Sequence, residues 1–174
     1  PPELREDRGE IESALQGGLP ELITFKDMKA ELHVHSVYSD GQLTLEEMAR
    51  HVAEMGYAYM SFCDHPQSAR YANGMEIRRL QEQMEAIRRL NKKMAPCKVL
   101  CGVEVDIRAD GSLDYPDRIL AELDFVVASI HSAFKTDPTE RTIQAMRKPY
   151  VDVIGHPTGR LISRREGFAI DLNR

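Results

Sequence analysis

Short apolar segments alternate five times with segments of helical periodicity between residues 29 and 174, and this alternation limits the chain to few folds. The predicted strands span residues 31–35, 59–65, 97–107, 124–131 and 150–156. These segments are apolar enough to be buried on both faces, which is typical of a parallel sheet built from βα units. The sequence therefore predicts an α/β fold, and the pattern alone does not distinguish an open sheet from a barrel.

Helix signals separate the predicted strands. Thr44 is a typical N-cap, Glu47 follows it at the capping-box spacing, and Gly56 ends the segment, which predicts a helix over 44–55. Apolar residues at helical spacing predict a long amphipathic helix over 75–94. Shorter helices are predicted over residues 116–123 and 139–147.

The first 28 residues differ from the rest. They are rich in charged residues, glycine and proline, and predict at most a short helix from Arg8 to Leu15. We interpret residues 1–28 as a linker or the tail of a preceding domain, and residues 29–174 as one folded domain. The chain begins with proline rather than methionine, which we take to indicate excision from a longer protein.

Charge and hydropathy exclude several classes. A net charge of −5 argues against a protein that holds nucleic acid by its overall charge, although a local basic site is compatible with it. No apolar run reaches the roughly 18 residues needed to cross a membrane, and no signal segment opens the chain, so we expect a cytoplasmic protein without a membrane partner. The three cysteines are expected to be reduced thiols.

Histidines mark the ends of the predicted strands. Five of the six histidines lie at or just beyond a strand's carboxyl end, namely His33, His35, His65, His131 and His156. In α/β folds this is the edge at which ligands bind and catalytic residues gather. The sixth, His51, lies within a predicted helix and is expected to be an ordinary helix residue.

Carboxylates accompany these histidines. His33 and His35 project from one face of a strand and can share a metal ion. Asp40 follows in a turn and is either a third donor or a plain turn residue. Glu104 lies inside an apolar strand, where an unpaired carboxylate is costly, so it is either a bridging metal ligand or one half of a salt bridge. Mixed imidazole and carboxylate ligands suit zinc, manganese or iron.

Such a site predicts hydrolysis of a phosphoester. Two ions bridged by one carboxylate are an arrangement that clamps the attacking and leaving oxygens of phosphoryl transfer, with an ionised water as nucleophile. Ser68, Arg70 and Asn73 follow the second strand and could bind phosphate, although a solvated loop has the same composition. No G-x-S-x-G turn or glycine-rich phosphate loop occurs.

Five segments together closely resemble the PHP (polymerase and histidinol phosphatase) domain: HVHSVYSDG at 33–41, CDH at 63–65, GVEVDI at 102–107, SIHS at 129–132 and GHPTGR at 155–160. The nearest likeness is to the PHP domain of bacterial and archaeal family X DNA polymerases. The resemblance implies a distorted (β/α)7 TIM-like barrel, incomplete in this chain with about five βα units, and up to three divalent metal ions. It also implies 3'-5' exonuclease activity, DNA 3' ends as substrate, and a polymerase domain in the same parent chain, of which residues 1–28 would be the tail.

The resemblance also implies a ligand partition. One ion would be held by His33, His35 and Glu104, a second and catalytic one by Glu104, His131 and His156, and a third by Asp40 and His65. A late Asp-x-His motif of the family has no match before Arg174, so the first and third sites would each lack one ligand here. Residues expected to steer the phosphate backbone are Arg70, Arg160, Arg164 and Arg165. Two alternatives stay open: a small-molecule phosphomonoesterase of the histidinol-phosphatase type, and a non-catalytic metal-binding domain attached to a polymerase.

Overall fold

A computed structural model describes residues 2–4, 7–161 and 163–174 of the chain. Its five strands are β1 (Ala30–Val34), β2 (Tyr59–Phe62), β3 (Lys98–Asp106), β4 (Phe125–Ser129) and β5 (Val153–Ile154). They form one sheet in the order β1-β2-β3-β4-β5, and every neighbouring pair is parallel. The predicted parallel α/β fold is confirmed.

Five α-helices connect or precede the strands: α1 (Glu10–Leu15), α2 (Leu45–Glu54), α3 (Ile77–Asn91), α4 (Asp117–Leu120) and α5 (Thr139–Met146). Two single 3₁₀ turns occupy Pro2–Leu4 and Arg70–Ala72. The strand order never reverses, and right-handed crossovers then place the connecting helices on one face of the sheet. Such a sheet curls, and the five strands form a half-barrel consistent with an incomplete TIM-like PHP barrel.

The hydrophobic core lies between the convex face of the sheet and the helices. Side chains alternate along β3, so that Val103 and Val105 face one way while Gly102 and Glu104 face the other. The valines are fully buried, together with Leu80 of α3. The apolar side chains of β3 fill the layer under the helices. The Glu104 carboxylate therefore lies on the opposite, concave face of the sheet.

Element boundaries follow local hydrogen bonding. The capping box of Thr44 and Glu47 is present at the start of α2. Helix α3 starts later than predicted because Glu76 is extended and serves as its N-cap, while Met75 forms a bridge with Pro66 and donates its N–H to the His65 carbonyl. Strand β5 is shorter than predicted because a turn follows α5, in which the Val151 N–H donates to the Lys148 carbonyl, although the backbone N–H groups of Asp152 and Gly155 donate to β4.

The segment before β1 packs little. Helix α1 has no buried residue, and four apolar side chains of this segment are 69–88% exposed, namely Ile11, Leu15, Ile23 and Phe25. The division at residue 29 stays a prediction. The three cysteines are free thiols, as expected. Within the described ranges, no helix has the length and hydropathy to cross a bilayer.

Candidate metal centre

The predicted histidines converge at the carboxyl edge of the sheet. His33 lies in β1, with His35 one residue past its end, and His65 lies three residues past the end of β2. His131 and His156 each lie two residues past the ends of β4 and β5. Because parallel strands end at the same edge, these five side chains face one another. His51 lies in α2, is exposed, and takes no part.

Glu104 of β3 is at the centre of the five imidazoles and is only 1% exposed. Its Oε2 lies 3.1 Å from His65 Nδ1 and 3.6 Å from the Nε2 atoms of both His33 and His35. Its Oε1 lies 3.1 Å from His156 Nε2 and 3.4 Å from His131 Nε2. A single buried carboxylate therefore contacts every histidine at this edge of the described sheet.

Burial and hydrogen bonding act in opposite directions on Glu104. Burial raises the pKa of its carboxyl, but hydrogen bonds with His131, His156, His33 and His65 outweigh burial and hold that pKa far below its usual range. Glu104 is thus a permanent anion at neutral pH. The salt-bridge alternative from the sequence required a lysine or arginine partner, and Glu104 has none among the described residues.

Asp40 reaches the same cluster from the turn after β1. Its Oδ1 lies 2.8 Å from His35 Nδ1, and its Oδ2 lies 3.6 Å from His65 Nε2. Burial raises the pKa of Asp40, but the hydrogen bond from His35 and the charges of His65 and His35 lower it further, so the net pKa is lowered. The turn needs Gly41, since a Cβ there would lie 2.2 Å from the His35 carbonyl oxygen.

Donor atoms form three overlapping groups whose members lie within 4.8 Å of one another: His33, His35 and Glu104; His35, Asp40 and His65; and His65, Glu104 and His131. The first group coincides with the first predicted site. His65 stands beside both Asp40 and Glu104, while His156 contacts Glu104 Oε1. The division of ligands among ions therefore stays a prediction.

The donor chemistry fits divalent cations. The buried Nδ1 atom of His131 has no hydrogen-bond partner among the described residues, and His65 Nδ1 lies 3.1 Å from Glu104 Oε2. The Nε2 atoms of His33 and His35 lie 3.2 Å apart and turn toward the same carboxylate oxygen. Imidazole nitrogens and carboxylate oxygens directed at common points are the ligand set of zinc, manganese or iron.

A second carboxylate, Asp64, secures the turn that carries Asp40. It is fully buried and accepts hydrogen bonds from the Ser36 N–H and hydroxyl, both at 2.7 Å. It also accepts from the Ser39 hydroxyl and from Gln83 Nε2 of α3, both at 2.5 Å. This network ties the loop after β1 to the end of β2 and to α3, next to His35 and Asp40.

A third group of buried polar residues supports His131. Asp106, two residues after Glu104, accepts a hydrogen bond from the His131 N–H at 3.0 Å. Asp114 accepts from the Asp106 N–H at 3.0 Å and from the Ser68 hydroxyl at 2.9 Å, and burial raises the pKa of Asp114. Arg141 of α5 is also buried and donates to the carbonyls of Ser132 and Ala133. The sequence did not indicate roles for Asp106, Asp114 or Arg141.

The residues predicted to bind phosphate have different surroundings. The Ser68 hydroxyl donates to Asp114, and the Asn73 amide donates to the Ser39 carbonyl at 3.2 Å, so both have structural partners. Arg70 is exposed at the start of the 3₁₀ turn. Arg164 lines a cleft of about 280 Å³ that adjoins the larger cleft at the metal centre and shares Arg160 and Arg165 with it. Phosphate binding by these four residues stays a prediction.

Arg160 and Arg165 lie closer to the histidines. Both line a cleft of about 620 Å³ that opens onto the metal centre. Arg165 donates to the Gly159 carbonyl at 2.7 and 3.0 Å, and its guanidinium lies 4.2 Å from the ring centroid of Phe134. Tyr71 and Phe134 also line this cleft, and neither was predicted because their polar loops gave no apolar periodicity.

Known proteins share the sequence that carries these ligands. The PHP domain family matches residues 31–161, which is most of the chain and includes every predicted ligand. The chain belongs to the PHP domain family. This PHP domain is 44% identical over 177 residues to the DNA polymerase/3'-5' exonuclease PolX of Bacillus subtilis, a match that covers 100% of the chain and 31% of that protein.

Other relatives carry a different name. The PHP domain is 33% identical over 139 residues to a probable phosphatase of Thermoanaerobacter sp., with 73% of the chain and 53% of the relative covered. It is 31% identical over 138 residues to a probable phosphatase of Acetivibrio thermocellus, with the same coverage. The chain thus spans between about a third and a half of the length of these relatives. Family and relatives together support a metal-dependent phosphoesterase.

Proposed function

We propose that this PHP domain hydrolyses phosphodiester bonds at DNA 3' ends, as a 3'-5' exonuclease. The observation that carries the proposal is Glu104, a buried anion within 3.1–3.6 Å of five histidine nitrogens at the carboxyl edge of the sheet. The relative with which the whole chain aligns is named for polymerase and 3'-5' exonuclease activities.

The proposed ligands are His33, His35, Asp40, His65, Glu104, His131 and His156. Divalent ions held by them would polarise the phosphoryl group and lower the pKa of an attacking water. Manganese is the proposed ion for exonuclease activity, with zinc or iron as the other candidates. The protein supplies Glu104, a buried carboxylate whose lowered pKa keeps it ionised. It also supplies Asp40, whose turn is hydrogen-bonded to Asp64 and is thereby held beside the histidines.

The DNA backbone would be guided by arginines. Arg160 is exposed on the rim of the 620 Å³ cleft, and Arg165 is held over Phe134 on the same side. Guanidinium groups there would pair with phosphates beyond the one being hydrolysed. Arg70 and Arg164 would extend this path outside the cleft. The name of the Bacillus subtilis relative further supports a polymerase domain in the same parent chain. A cytoplasmic location of the parent protein is part of the proposal.

The decisive experiment measures shortening of 3'-labelled single-stranded DNA by the full-length parent protein with manganese, zinc or iron. The expected result is stepwise removal of nucleotides that disappears in Glu104→Gln and persists in His51→Ala, the exposed histidine of α2. Absence of shortening with every metal would refute the exonuclease proposal. Equal shortening by Glu104→Gln would show that the cluster is a structural metal site rather than a catalytic one.

The second candidate is a small-molecule phosphomonoesterase, favoured by the relatives named probable phosphatases. The same metal centre would serve, but the substrate would be a free phosphate monoester such as histidinol phosphate. The two candidates separate by comparing phosphate release from histidinol phosphate with hydrolysis of DNA 3' ends. A much higher kcat/KM for the monoester would replace the exonuclease proposal.

A further inference from the structure

An aromatic ring stands exposed beside the metal centre. Tyr71 is 74% exposed, and its ring centroid lies 5.9 Å from that of His65 in an edge-to-face arrangement. Its hydroxyl has no hydrogen-bond partner among the described residues. A large apolar ring left in water this close to a catalytic cluster is a candidate contact for a ligand.

The exposure of Tyr71 does not come from a loose loop. The loop closes on itself, because the Met75 N–H donates to the His65 carbonyl at 2.9 Å and the Gly74 N–H donates to the Ala69 carbonyl at 3.1 Å. On either side of the tyrosine, Ala69 and Ala72 are buried, 2% and 4% exposed. The backbone of the loop is therefore ordered, and a ligand that stacks on the Tyr71 ring would not bear the entropic cost of ordering the loop.

The cleft that Tyr71 lines combines apolar and cationic surfaces. Phe134 also lines the cleft and stacks on Phe168, with ring centroids 5.5 Å apart and planes 11° from parallel. Ile130 and Leu161 add aliphatic surface, and Arg160 adds an exposed positive charge at the rim. An occupant of this cleft needs a flat apolar group and a negative charge, held next to the metal ligands.

We propose that this cleft binds the 3'-terminal nucleobase of the DNA substrate, stacked on the ring of Tyr71. The proposal rests on the exonuclease function proposed above and adds a base-binding site to it. A nucleotide meets both requirements, since its phosphate can lie at the histidine cluster while its base covers the tyrosine. Stacking on an aromatic side chain accepts any of the four bases, as an exonuclease requires.

The experiment compares two single-stranded oligonucleotides that differ only in the 3'-terminal residue, which is a thymidine in one and an abasic tetrahydrofuran in the other. The full-length parent protein and its variants remove the first nucleotide, and kcat/KM is measured for each substrate. The parent should prefer the thymidine end by about fivefold to hundredfold, the range for one stacked base. Tyr71→Ala should reduce this preference to about one by slowing the thymidine substrate alone.

Three further variants complete the test. Tyr71→Phe keeps the ring and should retain the preference, while Tyr71→Leu keeps apolar bulk without a flat ring and should lose most of it. Tyr150→Ala removes a partly exposed tyrosine that precedes β5, at the amino ends of the strands and away from the histidines. This variant should leave kcat/KM unchanged for both substrates. Metal content and melting temperature should be the same in the Tyr71 variants as in the parent protein, because Tyr71 is 74% exposed and packs against little of the core.

The outcomes distinguish a failure of the base-stacking proposal from a failure of the exonuclease proposal. A preference for the thymidine end that survives in Tyr71→Ala would overturn base stacking while leaving the exonuclease intact. A loss in Tyr71→Phe equal to that in Tyr71→Ala would assign the effect to the hydroxyl and also overturn stacking. If the parent protein cut neither oligonucleotide, the exonuclease proposal itself would fail, and the base-binding site would fail with it.

Discussion

Replacing Asp64 by alanine should destabilise the domain strongly, even without metal. Asp64 is fully buried and accepts four hydrogen bonds at 2.5–2.7 Å, from the N–H and hydroxyl of Ser36, the hydroxyl of Ser39 and the amide of Gln83. Alanine would remove the acceptor of all four donors, leaving the Gln83 amide and the Ser39 hydroxyl only their longer hydrogen bonds to Ser36 Oγ and Asp40 Oδ1, both at 3.4 Å. The perturbation thus acts on one compact network that joins the loop after β1 to α3.

The magnitude follows from the donors left behind. Each unsatisfied buried donor costs about 1–3 kcal/mol, so four set an upper bound of roughly 12 kcal/mol. The two serine hydroxyls can rotate and water can enter the vacated volume, which reduces the loss. We expect Asp64→Ala to lower the free energy of unfolding by about 3–5 kcal/mol, the range found when one partner of a buried charged network is removed.

Urea denaturation in EDTA measures this loss, because chelation removes any contribution from bound ions. With a slope of about 2 kcal/mol per M, the unfolding midpoint should fall by about 2 M. Ser39→Ala removes a single donor and should cost about 1 kcal/mol. A loss below about 1 kcal/mol in Asp64→Ala would refute the argument that this network holds the loop.

Other predictions concern the metal centre. Glu104→Gln should remove most bound divalent ion from the chain, measured by elemental analysis, because Glu104 contacts all five histidines of the site. His131→Ala should remove the tightest ion and His51→Ala none, measured by calorimetric titration; equal affinities would show that the ligands are wrongly assigned. Burial lowers the pKa of His65, but hydrogen bonding to Glu104 raises it further, so the net pKa is raised. In metal-free protein the stabilisation from His65 should therefore be complete below the unfolded pKa of about 6.5 and lost as pH rises through the raised folded pKa. The difference in unfolding free energy between the wild type and His65→Gln should shrink from pH 6 to pH 9, and a difference that grows would contradict the assigned sign.

Local sequence signals predicted the elements well. Helical periodicity and the capping box located α2 and α3, and apolar runs located all five strands, because each signal depends on residues close in sequence. Whether the sheet is open or curled could not be predicted in that way. It depends on strand order, which is set by packing between distant elements, and only the sequential order of β1 to β5 indicates the half-barrel.

The same distinction applies to the candidate site. Histidines at strand ends could be predicted to meet because parallel strands share an edge. The position of Tyr71 could not, since it depends on Met75 and Gly74 closing the loop back onto His65 and Ala69. The roles of Ser68 and Asn73 were equally hidden, because their partners Asp114 and Ser39 lie 46 and 34 residues away in sequence.

Two buried aspartates explain why the cluster holds its shape. Asp64 precedes the ligand His65 and binds the loop of Asp40, and Asp106 follows Glu104 by two residues and accepts from the His131 N–H. Each aspartate lies beside one ligand in sequence and fixes a second from another strand. Backbone pairing fixes the spacing and register of the strands, and these side chains position the ligands in the loops beyond the strand ends. The geometry of the metal centre therefore also depends on Asp64 and Asp106, which lie behind the histidines. A substitution at either aspartate would move ligands without removing any of them.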